Sequence, residues 1–125
     1  MIILALRIYT PQDINIISRV QSVALNTALP IVLAILKHLH GKDKNGEDKV
    51  LTFDSIIKAV KDDDDLRKTK YVISDEALIR STTEDLIAKK LLTEKEGKIR
   101  ITKMGNDAVE LLLLHLKKEE EKNDE

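Results

Sequence analysis

The sequence predicts a mainly α fold carrying one small β-hairpin, and three observations predict it. Apolar residues return every three or four positions through most of the chain, which is the period of a helix. Beyond Leu91 and Leu92 the period drops to two around Gly97, as in paired strands. At 125 residues and 42% hydrophobic composition, the chain can fill one core and has no room for a second domain of ordinary size.

The elements follow in chain order. The opening MIILALRIYT is apolar, but it lacks the basic start and small-residue cleavage site of a secretory signal and is too short for a membrane span. A strand or docking segment is expected there. Pro11 ends it, and a helix follows with Ile14, Ile17, Val20 or Gln21, and Ala24 or Leu25 at helical spacing. Thr27 is placed to cap a second helix filled by Ile31, Leu33, Ile35, Leu36 and Leu39. Pro30 is tolerated in its first turn, where the missing N–H has no helical partner, and one long helix kinked at Pro30 is the competing arrangement. Gly41 ends the segment, and GKDKNGEDK is a polar loop.

KVLT is a short strand candidate leading to Thr52, which can cap a helix striped by Phe53, Ile56, Ile57 and Val60. After the charged block KDDDDLRKTKY, Ser74 is the next cap candidate, with Asp75 and Glu76 in the first turn, where the helix dipole favours anions. Leu78, Ile79, Thr82 or Thr83, Leu86 and Ile87 stripe the helix that follows. Residues 93–96 run into Gly97, which takes a positive φ without steric cost, and residues 98–102 alternate polar with apolar. Thr102 then caps a last helix carrying Met104, Ala108, Val109, Leu111, Leu112, Leu113, Leu114 and Leu116. The tail KKEEEKNDE is expected to be frayed or disordered.

Composition narrows the function classes. A formal charge of -1, with 34% charged residues and 2% aromatics, does not describe a polycation that coats nucleic acid or anionic lipid indiscriminately, so any basic surface must be local. The absence of cysteine excludes disulfides and thiolate metal sites and fits a reducing, cytoplasmic setting; heavy Lys and Glu use is a weak thermophile signal. His38 and His40 would face about 200° apart on a helix and cannot hold one metal together. Asp62, Asp63, Asp64 and Asp65 lack the alternating ligands and central glycine of a calcium loop, and a solvated helix end is favoured over a metal site. No nucleophile motif, phosphate loop or isolated carboxylate pair is present, so neither an enzyme nor a cofactor is expected.

The stretch LIAKKLLTEKEGKIRITKMGNDAVELL resembles the recognition-helix end, wing and following helix of the winged helix-turn-helix family. Leu86, Lys89, Lys90, Leu91 and Leu92 occupy the leucine, polar, small and paired apolar places that close the family's recognition helix. Ile101, Thr102, Lys103, Met104 and Gly105 match its Leu-Thr-x-x-Gly after the wing. The resemblance spans residues 27–116. Two departures stand out: Lys90 replaces the usual glycine, and Asp75, Glu76, Glu84 and Asp85 oppose Arg80, Lys89 and Lys90.

What the resemblance implies is double-stranded DNA binding, with the third helix in the major groove and the wing over flanking phosphates. With Ile79, Thr83 and Leu86 inward, Arg80, Ser81 and Glu84 project outward as base readers. Lys95, Lys98, Arg100 and Lys103 lie on or beside the wing, and Arg67, Lys68 and Lys70 precede the helix, as phosphate contacts. The alternative for Arg80 is an i to i+4 pair with Glu84 on a solvated face. Apolar residues on more than one face of the last helix imply a homodimer, with Ile14, Ile17, Val109, Leu112, Leu113 and Leu116 as interface. Residues 1–26 would be the dimerising extension, 27–116 the winged-helix unit and 117–125 the tail. The expectation is therefore a dimeric, sequence-specific transcriptional regulator. The alternative is a winged-helix protein-interaction module, an accessory subunit without DNA binding of its own.

Overall fold

The computed structural model describes residues 10–67 and 76–123, with Asp65 and residues 115–123 described as backbone alone. In chain order the elements are α1 (Pro11–Ala24), α2 (Leu29–Leu39), α3 (Phe53–Lys61), α4 (Asp64–Arg67), α5 (Glu76–Ala88), β1 (Leu92–Lys95), β2 (Lys98–Ile101) and α6 (Lys103–Asn123). The fold is mostly helical with one two-stranded antiparallel hairpin. The form of the opening apolar segment, the cap expected at Ser74, and Lys68 and Lys70 lie outside the described residues.

Local chemistry starts α1. The Thr10 hydroxyl accepts from the Asp13 N–H while the Asp13 carboxylate accepts from the Thr10 N–H, both at 3.1 Å, and Pro11 sits at the first turn. Its buried stripe is Ile16, Val20 and Val23, whereas Ile14 is 59% exposed and Leu25 also faces out. This keeps Val20 and Ala24 from the expected stripe and corrects it at Ile14 and Leu25. Two sets of apolar residues share the helical period, and packing against α2, α5 and α6 selects the one that meets neighbours on those sides.

A second correction concerns Thr27. The cap of α2 is Ala28, with no side-chain bond, because the Thr27 hydroxyl turns inward to contact Val23 O at 3.3 Å and the Thr82 hydroxyl at 3.1 Å. Pro30 lies in the first turn, as its missing N–H requires, and α1 and α2 are separate helices bent 118° apart. Ile31, Val32, Ile35, Leu36 and Leu39 are all buried, so α2 is apolar nearly all round and forms the centre, touching α1, α3, α4, α5, α6 and β2. Gly41 turns the chain at φ +83°.

Thr52 caps α3, accepting from the Ser55 N–H at 3.2 Å, and Ile56, Ile57 and Val60 are buried as their spacing demands. The strand expected before it reduces to Leu51, which exchanges two backbone bonds with Ile99 (2.7 and 3.0 Å) and so ties the start of α3 to the hairpin. In the hairpin Leu92 faces Ile101 and Lys95 faces Lys98. Glu96 and Gly97 both have positive φ (55° and 78°), the two-residue turn that matches strand twist.

The end of α5 carries the departure from glycine. Lys90 N–H donates to Ile87 O and Leu91 N–H to Leu86 O, the paired bonds of a Schellman closure, with Lys90 at φ 65°. Leu86 and Leu91 are fully buried against that closure. Thr102 caps α6, accepting from the Gly105 N–H at 3.0 Å and donating to the chain at Lys90 O or Leu91 O. Gly105 is packed so closely that a Cβ would stand 2.1 Å from Leu91 O.

Two boundaries differ from expectation. Residues 11–24 belong to the same core as the rest, since Ile16, Val20 and Val23 join one cluster with α2, α3, α5 and α6. The backbone of the charged tail is helical through Asn123, in a stretch rich in Lys and Glu, which are strong helix formers. Among the described residues no single helix is long and apolar enough to cross a membrane.

Candidate nucleic-acid interface

The candidate surface is built by α5 and the hairpin that follows it. Burial of Ile79, Thr82, Thr83 and Leu86 fixes the rotation of α5, and the hydroxyls of Thr82 and Thr83 are satisfied by Leu78 O and Ile79 O at 2.7 and 2.8 Å. The opposite side is open: Glu76, Arg80, Ser81 and Glu84 are exposed. Arg80, Ser81 and Glu84 thus share one solvent-facing side, as their spacing requires.

Their surroundings differ in detail. Arg80 does not pair along its own helix. Its guanidinium lies 4.8 Å from the Phe53 ring centroid, and Nη2 is 3.6 Å from Asp54 Oδ1, so both contacts come from the first turn of α3. Ser81 donates back to Leu78 O at 3.1 Å. Glu76 accepts from Lys61 at 2.9 Å.

In the hairpin, Lys95 and Lys98 are exposed and Arg100 is half-buried; Lys103 is exposed at the start of α6. Three bases against Glu94 and Glu96 leave residues 93–102 with an excess of one positive charge, so the basic surface is local and small.

Arg19 is a contributor that spacing did not reveal. From α1 it donates to Lys89 O at 2.9 Å, supporting the carboxyl end of α5, while its Nε is buried with no hydrogen-bond partner among the described residues. A cation on the last carbonyls of a helix is favoured by the dipole. No sequence signal could have shown it, because Arg19 and Lys89 lie 70 positions apart.

Asp62, Asp63, His38 and His40 each meet a partner within the fold. Asp62 ends α3 and lies 3.5 Å from Arg67; Asp63 accepts from the Leu66 N–H at 2.9 Å and contacts His38 Nε2 at 2.8 Å. Burial pushes the Asp63 carboxyl up, but the Leu66 N–H, His38 and Lys37 together outweigh it and hold it below the usual carboxylate range. His40 Nδ1 meets Asn106 Oδ1 at 2.8 Å, so the two histidines point to different elements. Among the described residues no group of three or more His, Asp or Glu side chains is placed to hold a metal ion.

The expected dimer contacts divide. Val109 is fully buried in its own chain, which removes it from any surface, because α6 turns this residue onto the core beside Ala108. Ile17 is half-buried, and Leu112 packs partly against the same core. Ile14 and Leu113 remain exposed, the latter at 42%, with Leu114 beside it. The side chain of Leu116 lies outside the described residues.

No protein-family model, curated protein or solved structure matches the chain.

Proposed function

We propose that the chain is a winged helix-turn-helix protein that binds double-stranded DNA and regulates transcription as a homodimer, with α5 as reading helix and the β1–β2 hairpin as wing. The observation that carries this is the open side of α5. Arg80, Ser81 and Glu84 stand free of the core on a helix whose rotation is set by four buried residues. Arg80 has the two donors that a guanine edge takes, Ser81 can bond a base or phosphate, and Glu84 can accept from cytosine. Lys95, Lys98, Arg100 and Lys103 supply the sequence-independent phosphate contacts. Exposed Ile14, Leu113 and Leu114 support pairing of two copies, which would set two reading helices roughly 34 Å apart on a palindromic site.

Electrophoretic shift across a salt series, using fragments upstream of the protein's own gene, tests this. Log affinity falls linearly with log salt. Arg80→Ala removes about 1–3 kcal/mol of preference at one base pair, whereas Lys98→Ala weakens all sequences alike and lowers the salt slope by about one.

A second reading has its own support. Glu76 and Glu84 are exposed on the same side of α5, and anions there repel phosphates and suit a basic protein partner. An accessory protein-interaction module of this kind shows no duplex binding even at low salt.

A further inference from the structure

Arg80 is already engaged before any ligand arrives. Phe53 and Asp54, the first two residues of α3, bring a ring and a carboxylate to its guanidinium. One turn earlier on α5 the polarity reverses, and Glu76 meets Lys61 from the other end of α3. The two ion pairs border a cleft of about 390 Å³ lined by Asp54, Ile57, Lys58, Lys61, Asp62 and Glu76. Asp54 is 93% exposed and makes no other bond needed for the cap of α3, which Thr52 supplies. Asp54 also stands in the first turn of α3, where the helix dipole favours an anion, and its ion-pair partner among the described residues is Arg80.

We propose that Asp54 is a built-in competitor for Arg80, a carboxylate that duplex DNA must displace, so that it sets the affinity of the reading face. This rests on the duplex-binding reading above. An exposed ion pair shifts an equilibrium by only about two- to fivefold, whereas a bidentate guanine contact contributes roughly five- to a hundredfold. Guanine therefore wins the guanidinium from Asp54. A single phosphate contact is of the same order as the ion pair it replaces, and it leaves Arg80 where it is. The Phe53 ring, 4.8 Å from the guanidinium, attracts the cation as well and adds to what guanine must offset.

A double-mutant cycle tests this, with affinities measured at low salt for a duplex selected from a random library by the wild-type protein. Asp54→Asn, which keeps side-chain shape in an exposed first turn, is expected to bind about two- to fivefold more tightly, and the gain shrinks as salt rises. Glu47→Gln, the same charge change on the exposed loop after α2, is expected to shift binding less than about twofold. In the Arg80→Ala background the gain from Asp54→Asn disappears. Persistence of the gain without Arg80 overturns the proposal, because Asp54 would then act on phosphates directly; so does an Asp54→Asn affinity equal to wild type. If no duplex is selected, and neither wild type nor Asp54→Asn shifts mixed-sequence DNA at low salt, the duplex reading itself fails and the competitor role falls with it.

Discussion

Two single residues carry backbone demands of opposite kind. Gly105 sits where a Cβ would lie 2.1 Å from Leu91 O and 2.6 Å from the Ile101 side chain, so Gly105→Ala forces α6 away from the hairpin. A loss of about 2 kcal/mol or more is expected from chemical denaturation. Lys90 holds φ 65° at the closure of α5, a conformation that is unfavourable for a side chain with a Cβ. Lys90→Gly relieves that strain at the expense of some unfolded-state entropy, and a net gain of about 0.5–1 kcal/mol is expected in the same measurement. If the Lys90 side chain contributes a phosphate contact, the variant gains stability while losing duplex affinity, and the two readouts separate.

Between elements, Asp63 joins three. Its carboxylate caps the start of α4, follows the end of α3 and meets His38 on α2, with only 11% of its side chain exposed. Removing the cap by Asp63→Ala is expected to cost about 1 kcal/mol near neutral pH. The sign of the pH dependence follows from the lowered carboxyl. A group depressed in the folded state stabilises above its unfolded value and loses that contribution as pH falls through its folded value. Stability curves of wild type and Asp63→Ala should therefore converge as pH drops below about 4, and a constant gap down to the acid limb would contradict the assignment. The same carboxylate explains why the acidic run does not simply repel its surroundings. Asp62 and Asp63 are each turned onto a cation or a backbone donor.

One core joins all the helices. Ile16 on α1 is 1% exposed and belongs to the cluster that includes α2 and α6, so Ile16→Ala is expected to cost about 2–5 kcal/mol across the single unfolding transition. Deleting α1 should leave a chain that no longer unfolds cooperatively, as read by calorimetry; a sharp transition in residues 27–125 alone would show that α1 is an appendage. Arg19 makes the same link to α5, since losing α1 also removes the donor to Lys89 O at the end of that helix.

The local features were legible in order. Thr52, Thr102 and Gly97 mark their caps and turn, the stripe of α5 gives its rotation, and that rotation places Arg80, Ser81 and Glu84 on one open side, because helical and strand periods are properties of neighbours in the chain. What neighbours cannot encode is which of two equally periodic faces meets a partner. Ile16 rather than Ile14 enters the core, Thr27 reaches Thr82 instead of capping α2, and Val109 turns inward, for reasons that lie in helices far away in sequence. Arg80 carries the same lesson for the site. Its spacing offered Glu84, but the partners it has are Phe53 and Asp54, brought within reach only when α3 packs beside α5, and exposed charges take whichever opposite charge the packing sets nearest.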